Sequence, residues 1–77
     1  MLTEAQDNLW RYLHRTSQAN GGVMPTYRDM CRDLGYASLS TPHGLIDRLV
    51  ERGYAIRQRN RHRALMLLKY PSRPRAA

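Results

Sequence analysis

The chain has a single cysteine, Cys31, among 77 residues. One thiol can close no intramolecular disulfide and build no cysteine-based metal cluster. No apolar run approaches the ~20 residues that a membrane-spanning helix needs. The start, Met1-Leu2-Thr3-Glu4, lacks the basic residues and apolar stretch of a secretory signal. Chemistry-bearing spacings are missing as well. His14, His43 and His62 fall on different segments and form no His-x-x-x-His pair, and there is no glycine-rich phosphate loop. Cys31 has no helper base at a motif-like spacing, so it reads as a small core residue and not as a nucleophile. These absences predict no enzyme, no metal and no cofactor, and a cytoplasmic location fits them. The length allows one modest hydrophobic core.

Negative charge is scarce, and scarcest toward the end. Up to Asp47 there are four Lys or Arg against five Asp or Glu; from Arg48 onward there are nine against one. The net charge of +7 therefore belongs wholly to the C-terminal part. Lysine is nearly absent: twelve of the thirteen basic residues are arginine. The planar guanidinium fork suits phosphate oxygens and guanine edges better than an ammonium point charge does. A basic soluble surface is the plain alternative, but so sharp an asymmetry predicts a polyanion partner.

What is present reads as three helices and a hairpin. Thr3 with Gln6 is a capping-box pair, and Ala5, Leu9, Tyr12 or Leu13, and Thr16 recur at helical spacing. A first helix is expected from about Glu4 to Gln18, stopped by Asn20-Gly21-Gly22. Trp10 and Tyr12 have core spacing, so packing is expected of them in preference to base stacking. Thr26 and Asp29 cap a second helix of about eight residues, with Met30, Cys31 and Leu34 facing inward and Gly35 as its left-handed end. Ser38 is expected to cap a third helix, with Leu45, Ile46, Leu49 and Val50 as its apolar stripe and Gly53 closing it. Pro42 lacks an N–H, which is harmless only in a first turn, so this helix begins between Ser38 and Ser40.

Two short helices joined by a tight glycine turn form a helix-turn-helix unit, whose second helix offers its N-terminal residues to base edges in the major groove. Ser38, Ser40, Thr41 and His43 are then expected to face DNA, with Arg48 near the backbone. Ser38 has two readings, as a cap alone or as a contact too, and Gly44 leaves room for close approach. Beyond Gly53 the period changes. Tyr54 to Gln58 and Ala64 to Lys69 read as two strands around Arg59-Asn60-Arg61-His62-Arg63, although the second arm alone could pass for helix. As strands, they would pack Ile56, Leu65 and Leu67 on the helices. Such a hairpin after a helix-turn-helix is a wing, and arginines at its tip suit phosphates or a narrow minor groove.

Leu2-Thr3 with Gln6, Met24-Pro25-Thr26, and Leu34-Gly35-Tyr36 with Ser38 resemble the N-terminal DNA-binding domain of LexA-type SOS repressors. Leu45 to Leu49, Glu51-Arg52-Gly53-Tyr54 and Arg63-Ala64-Leu65 extend the resemblance to residues 2–68. It implies a winged helix-turn-helix, mainly α with a small two-stranded antiparallel hairpin, occupying residues 1–69 and followed by a basic tail or linker at 70–77. It also implies base contacts at Ser38, Ser40, Thr41, His43 and Gly44. Family members that read the familiar SOS operator carry an asparagine and two glutamates where this chain has Ser40, His43 and Gly44, so the resemblance does not carry that operator over. The family's self-cleaving domain, with its serine–lysine dyad, has no counterpart in these 77 residues. The chain therefore reads as a fragment or as a stand-alone bacterial or mobile-element relative.

The expected function is sequence-selective binding of double-stranded DNA as a transcriptional regulator, a repressor by occlusion. Arg28, Arg48, Arg52, Arg57, Arg59, Arg61 and Arg63 are the expected backbone or wing contacts. The expected partners are double-stranded DNA and a second copy on a palindromic site or a partner protein, with no membrane. The alternative is a winged-helix module that binds host or phage proteins. RNA binding ranks behind both, because it would favour exposed aromatics and the tyrosines here fall at structural positions.

Overall fold

A computed structural model describes residues 2–57 and 65–68 of the chain. Its elements are α1 (Glu4–Ala19), α2 (Tyr27–Leu34), α3 (Ser40–Glu51), β1 (Ala55–Arg57) and β2 (Leu65–Leu67). The strands pair antiparallel, with Ala55 opposite Leu67, Ile56 opposite Met66 and Arg57 opposite Leu65. This is a mainly helical α+β fold of winged-helix type, as expected.

Both capping boxes form. Thr3 accepts the Gln6 backbone N–H at 3.2 Å while the Gln6 side chain accepts the Thr3 N–H at 3.1 Å. Thr26 and Asp29 repeat the exchange at 3.0 Å in each direction. Each box satisfies two backbone donors that a helix start leaves open. Gly22 ends α1 by donating to the Ser17 carbonyl at 2.7 Å. Gly35 ends α2 with φ +78°, a conformation that costs a side chain with a Cβ but not glycine.

The core joins Leu9, Trp10, Tyr12 and Leu13 of α1 to Met30 of α2, Ile46 and Leu49 of α3, and Ala55 of β1. Two anchors fix α1 against its neighbours. The Tyr54 carbonyl accepts both the Trp10 indole N–H at 3.2 Å and the Leu68 N–H at 2.8 Å, which ties α1 to the hairpin. The Tyr12 hydroxyl donates to Asp33 at 2.6 Å, which ties α1 to α2. Trp10 and Tyr12 are thus structural.

Four expectations are corrected. Ala5 is exposed: the buried face of α1 runs through Gln6, Leu9, Trp10 and Leu13, and Ala5 falls at its margin. Cys31 is only half-buried, and its thiol donates to the Ser38 carbonyl at 3.5 Å. Ile56 does not pack on the helices: it is 44% exposed, while Ala55 is 2% exposed. The register explains this. Leu65 and Leu67 lie opposite Arg57 and Ala55, so Ile56 shares the other face with Met66.

The fourth concerns Ser38, which does not cap α3. The N-cap position is Leu39, and no side chain caps the helix. Two donors explain why none is needed. A capping side chain serves the second or third helical N–H. Here the second, that of Thr41, is taken by the Ser38 carbonyl at 3.3 Å. The third position is Pro42, which has none to serve. At the far end, Gly53 donates to Val50 at 3.1 Å and Tyr54 donates to Leu49 at 2.9 Å, a double closure that turns the chain into β1.

Candidate nucleic-acid interface

The first turn of α3 has two opposite faces. Pro42, Ile46 and Leu49 are buried, whereas Ser38, Ser40, Thr41, His43 and Gly44 are all exposed. The helical period forces this division once the core claims Ile46 and Leu49. All five residues expected to meet DNA therefore lie together on one outward surface. The Ser38 and Ser40 hydroxyls share a hydrogen bond of 2.7 Å, so they sit as a pair just ahead of the helix and at its first residue. A Cβ added at Gly44 would meet no protein atom within 4 Å. Ser40, Thr41, Gly44 and Arg48 also border an open cleft of about 610 Å³, on whose lining Gln6 of α1 lies as well.

Of the arginines expected on the backbone, Arg28, Arg48, Arg52 and Arg57 are exposed. Arg48 pairs with Glu51 at 2.9 Å on the surface of α3. Arg57 reaches from β1 to Asp47 of α3 and donates to the Tyr27 hydroxyl at 3.5 Å. The Tyr27 contact is the largest cause holding the Arg57 guanidinium above its ordinary pKa; burial opposes it and Asp47 adds to it. Arg59, Arg61 and Arg63 lie outside the described residues, as do residues 69–77.

Two residues of this surface carry no signal in the sequence. Tyr27, the first residue of α2, stacks on His43 with ring centroids 3.9 Å apart and an interplanar angle of 32°. Asp47 holds Arg57 from one turn beyond His43. Both contacts cross between elements, so no spacing within one segment reveals them. Among the described residues, no group of three or more His, Cys, Asp or Glu could hold a metal ion, and no helix is long and apolar enough to cross a membrane.

Curated proteins similar to the chain include several LexA repressors. That of Pelagibacter ubique is 39% identical over 71 residues, which are 92% of this chain and 31% of the repressor. That of Leuconostoc citreum is 39% identical over 59 residues, 77% of this chain and 28% of the repressor. That of Limosilactobacillus fermentum is 36% identical over 74 residues, 96% of this chain and 29% of the repressor. No protein-family model matches the chain, and no solved structure matches it significantly. The chain spans about three-tenths of the length of the curated relatives it matches. The likeness runs through most of this short chain and bears out the resemblance read from its residues: the chain is similar to about three-tenths of a LexA repressor.

Proposed function

We propose that the chain binds double-stranded DNA sequence-selectively and acts as a transcriptional regulator of LexA type, a repressor by occlusion. One observation carries this reading: Ser40, Thr41, His43 and Gly44 at the start of α3, and Ser38 just ahead of it, are all exposed, with Pro42, Ile46 and Leu49 buried behind them. A major groove roughly 12 Å wide admits one α-helix lying in it with the residues of its N-terminal end toward the base edges. Serine and threonine hydroxyls there read permissively, while the His43 imidazole brings a ring N–H. Gly44 lets the helix approach closely.

Arg28, Arg48, Arg52 and Arg57 would grip phosphates, together with Arg59, Arg61 and Arg63 of the wing, which reach the backbone or the minor groove. The ion pairs of Arg48 and Arg57 do not stand in the way. Exposed pairs of this kind are worth about 0–1 kcal/mol, less than what a phosphate contact with counterion release can return. One small module reads few base pairs, so two copies on a palindrome with half-sites about 34–36 Å apart would provide useful specificity.

Binding-site selection from a random duplex library, followed by titration at two salt concentrations, tests this. A motif and a steep salt dependence are expected, and binding without a motif would remove sequence-selective regulation. The second reading, a protein-docking winged helix, has its own support: Ile56 and Met66 pair on the outer face of the hairpin, 44% and 46% exposed. It predicts binding to no duplex in the same experiment.

A further inference from the structure

We infer that Tyr27 is a positioning residue for sequence readout: by stacking on His43 it fixes the imidazole on the exposed face of α3, and so sets base preference without touching a base. This rests on the reading of α3 as the DNA-reading helix.

The two rings belong to different helices and lie 3.9 Å apart between centroids, tilted by 32°. Their surroundings are unequal. Tyr27 is partly buried and packs against the core, whereas His43 is exposed. The tyrosine is therefore the fixed partner and the histidine the one being held. Tyr27 is restrained on a second side, because its hydroxyl accepts from Arg57 at 3.5 Å. Arg57 in turn reaches Asp47, one turn beyond His43 on the same helix. The contacts close a ring from α3 to α2, to β1 and back to α3.

An exposed imidazole on its own samples several rotamers and must be ordered when it meets a base. Here one ring face is already covered, which leaves the ring edge, with its two nitrogens, free to meet a base edge. A reader ordered before binding discriminates more sharply than one that must be ordered by it, because a wrong base cannot draw it into another pose. Packing alone would not do this: a leucine at position 27 fills the space but offers no ring to stack on.

The test compares the motifs selected by the wild-type chain, Tyr27→Leu, Tyr27→Phe and His43→Ala. His43→Ala should lose preference at one base-pair position. Tyr27→Leu should lose preference at that same position, by a factor on the order of five or more, the low end of what one good base contact discriminates. Tyr27→Phe keeps the ring and should restore it. Tyr27→Leu selecting the wild-type motif at wild-type strength, while His43→Ala changes it, overturns the inference and leaves α3 as the reader. His43→Ala selecting the wild-type motif removes the reading on which the inference rests. Proton NMR of the free wild-type and Tyr27→Phe chains decides independently of how Tyr27→Leu folds. The His43 ring protons should be displaced by the tyrosine or phenylalanine ring current, and resonances at the positions of a free histidine would overturn the stacking.

Discussion

Tyr12 shows how much one side chain can settle. It is buried on α1, and its hydroxyl donates to Asp33 of α2 at 2.6 Å. Burial first, then Asp33, pushes its pKa up to about 12 from 10.0. The same bond, followed by Arg32, holds the Asp33 carboxyl below its ordinary value. The signs are opposite. The folded chain favours neutral Tyr12, so that stabilisation is complete below pH 10.0 and is lost as pH rises through about 12. The Asp33 contribution is complete above the ordinary carboxylate range and is lost as pH falls through its lowered folded value. Tyr12→Phe should cost about 1 kcal/mol at neutral pH, one hydrogen bond. Denaturation midpoints measured from pH 8 to 12 should fall less steeply for this variant than for the wild type, and parallel curves would remove Tyr12 as the alkaline trigger. Gly44 offers a second residue-scale check. An added Cβ meets nothing, and the position is helical, so Gly44→Ala should raise stability by about 1 kcal/mol. If duplex DNA approaches α3 there, the same variant binds more weakly although it melts later; affinity that rises or stays with stability would argue against close approach.

Among the elements, starts and stops were legible where the chemistry is local. Thr3 with Gln6, Thr26 with Asp29, and the glycines after each helix act within five residues, and the folded chain uses them as the sequence indicates. The α3 face was legible for the same reason, since Ile46 and Leu49 fix the helix phase. What escaped depends on partners distant in sequence. Ile56 looked inward by composition, but pairing with Met66 across the hairpin decides its face. Tyr27 looked like any first-turn residue until α3 brought His43 over it. Ser38 looked like a cap because the donors already removed by Pro42 and by its own carbonyl were not counted. This last point separates two substitutions. Thr26→Ala should lower stability by about 1 kcal/mol, because the Asp29 N–H loses its acceptor. Leu39→Ser places a good capping residue where no donor awaits it, and should change stability by less than about 0.5 kcal/mol. Thermal unfolding of both variants checks the pair; a full capping gain at Leu39 would refute the donor count.

At the scale of the whole molecule, charge and readout are divided along the chain. Residues up to Asp47 carry nearly balanced charge and hold the candidate base readers, whereas from Arg48 onward there are nine basic residues against one acidic. If the two tasks are separate, their failures should be separable. Each phosphate contact releases counterions and contributes about 0.9 to the slope of log K against log salt on duplex DNA. Changing Arg59 and Arg61 together to alanine should lower that slope by about 2, weaken binding to every duplex alike, and leave the selected motif unchanged. His43→Ala should do the reverse, keeping the slope and altering the motif. Affinity at several salt concentrations, measured on the selected site and on an unrelated duplex, distinguishes them. A slope unmoved by the double substitution would confine the electrostatic grip to the helices and to Arg57. The arginines beyond Arg57 would then serve another partner, and the apolar pair of Ile56 and Met66 on the outer hairpin face is the place to look for it.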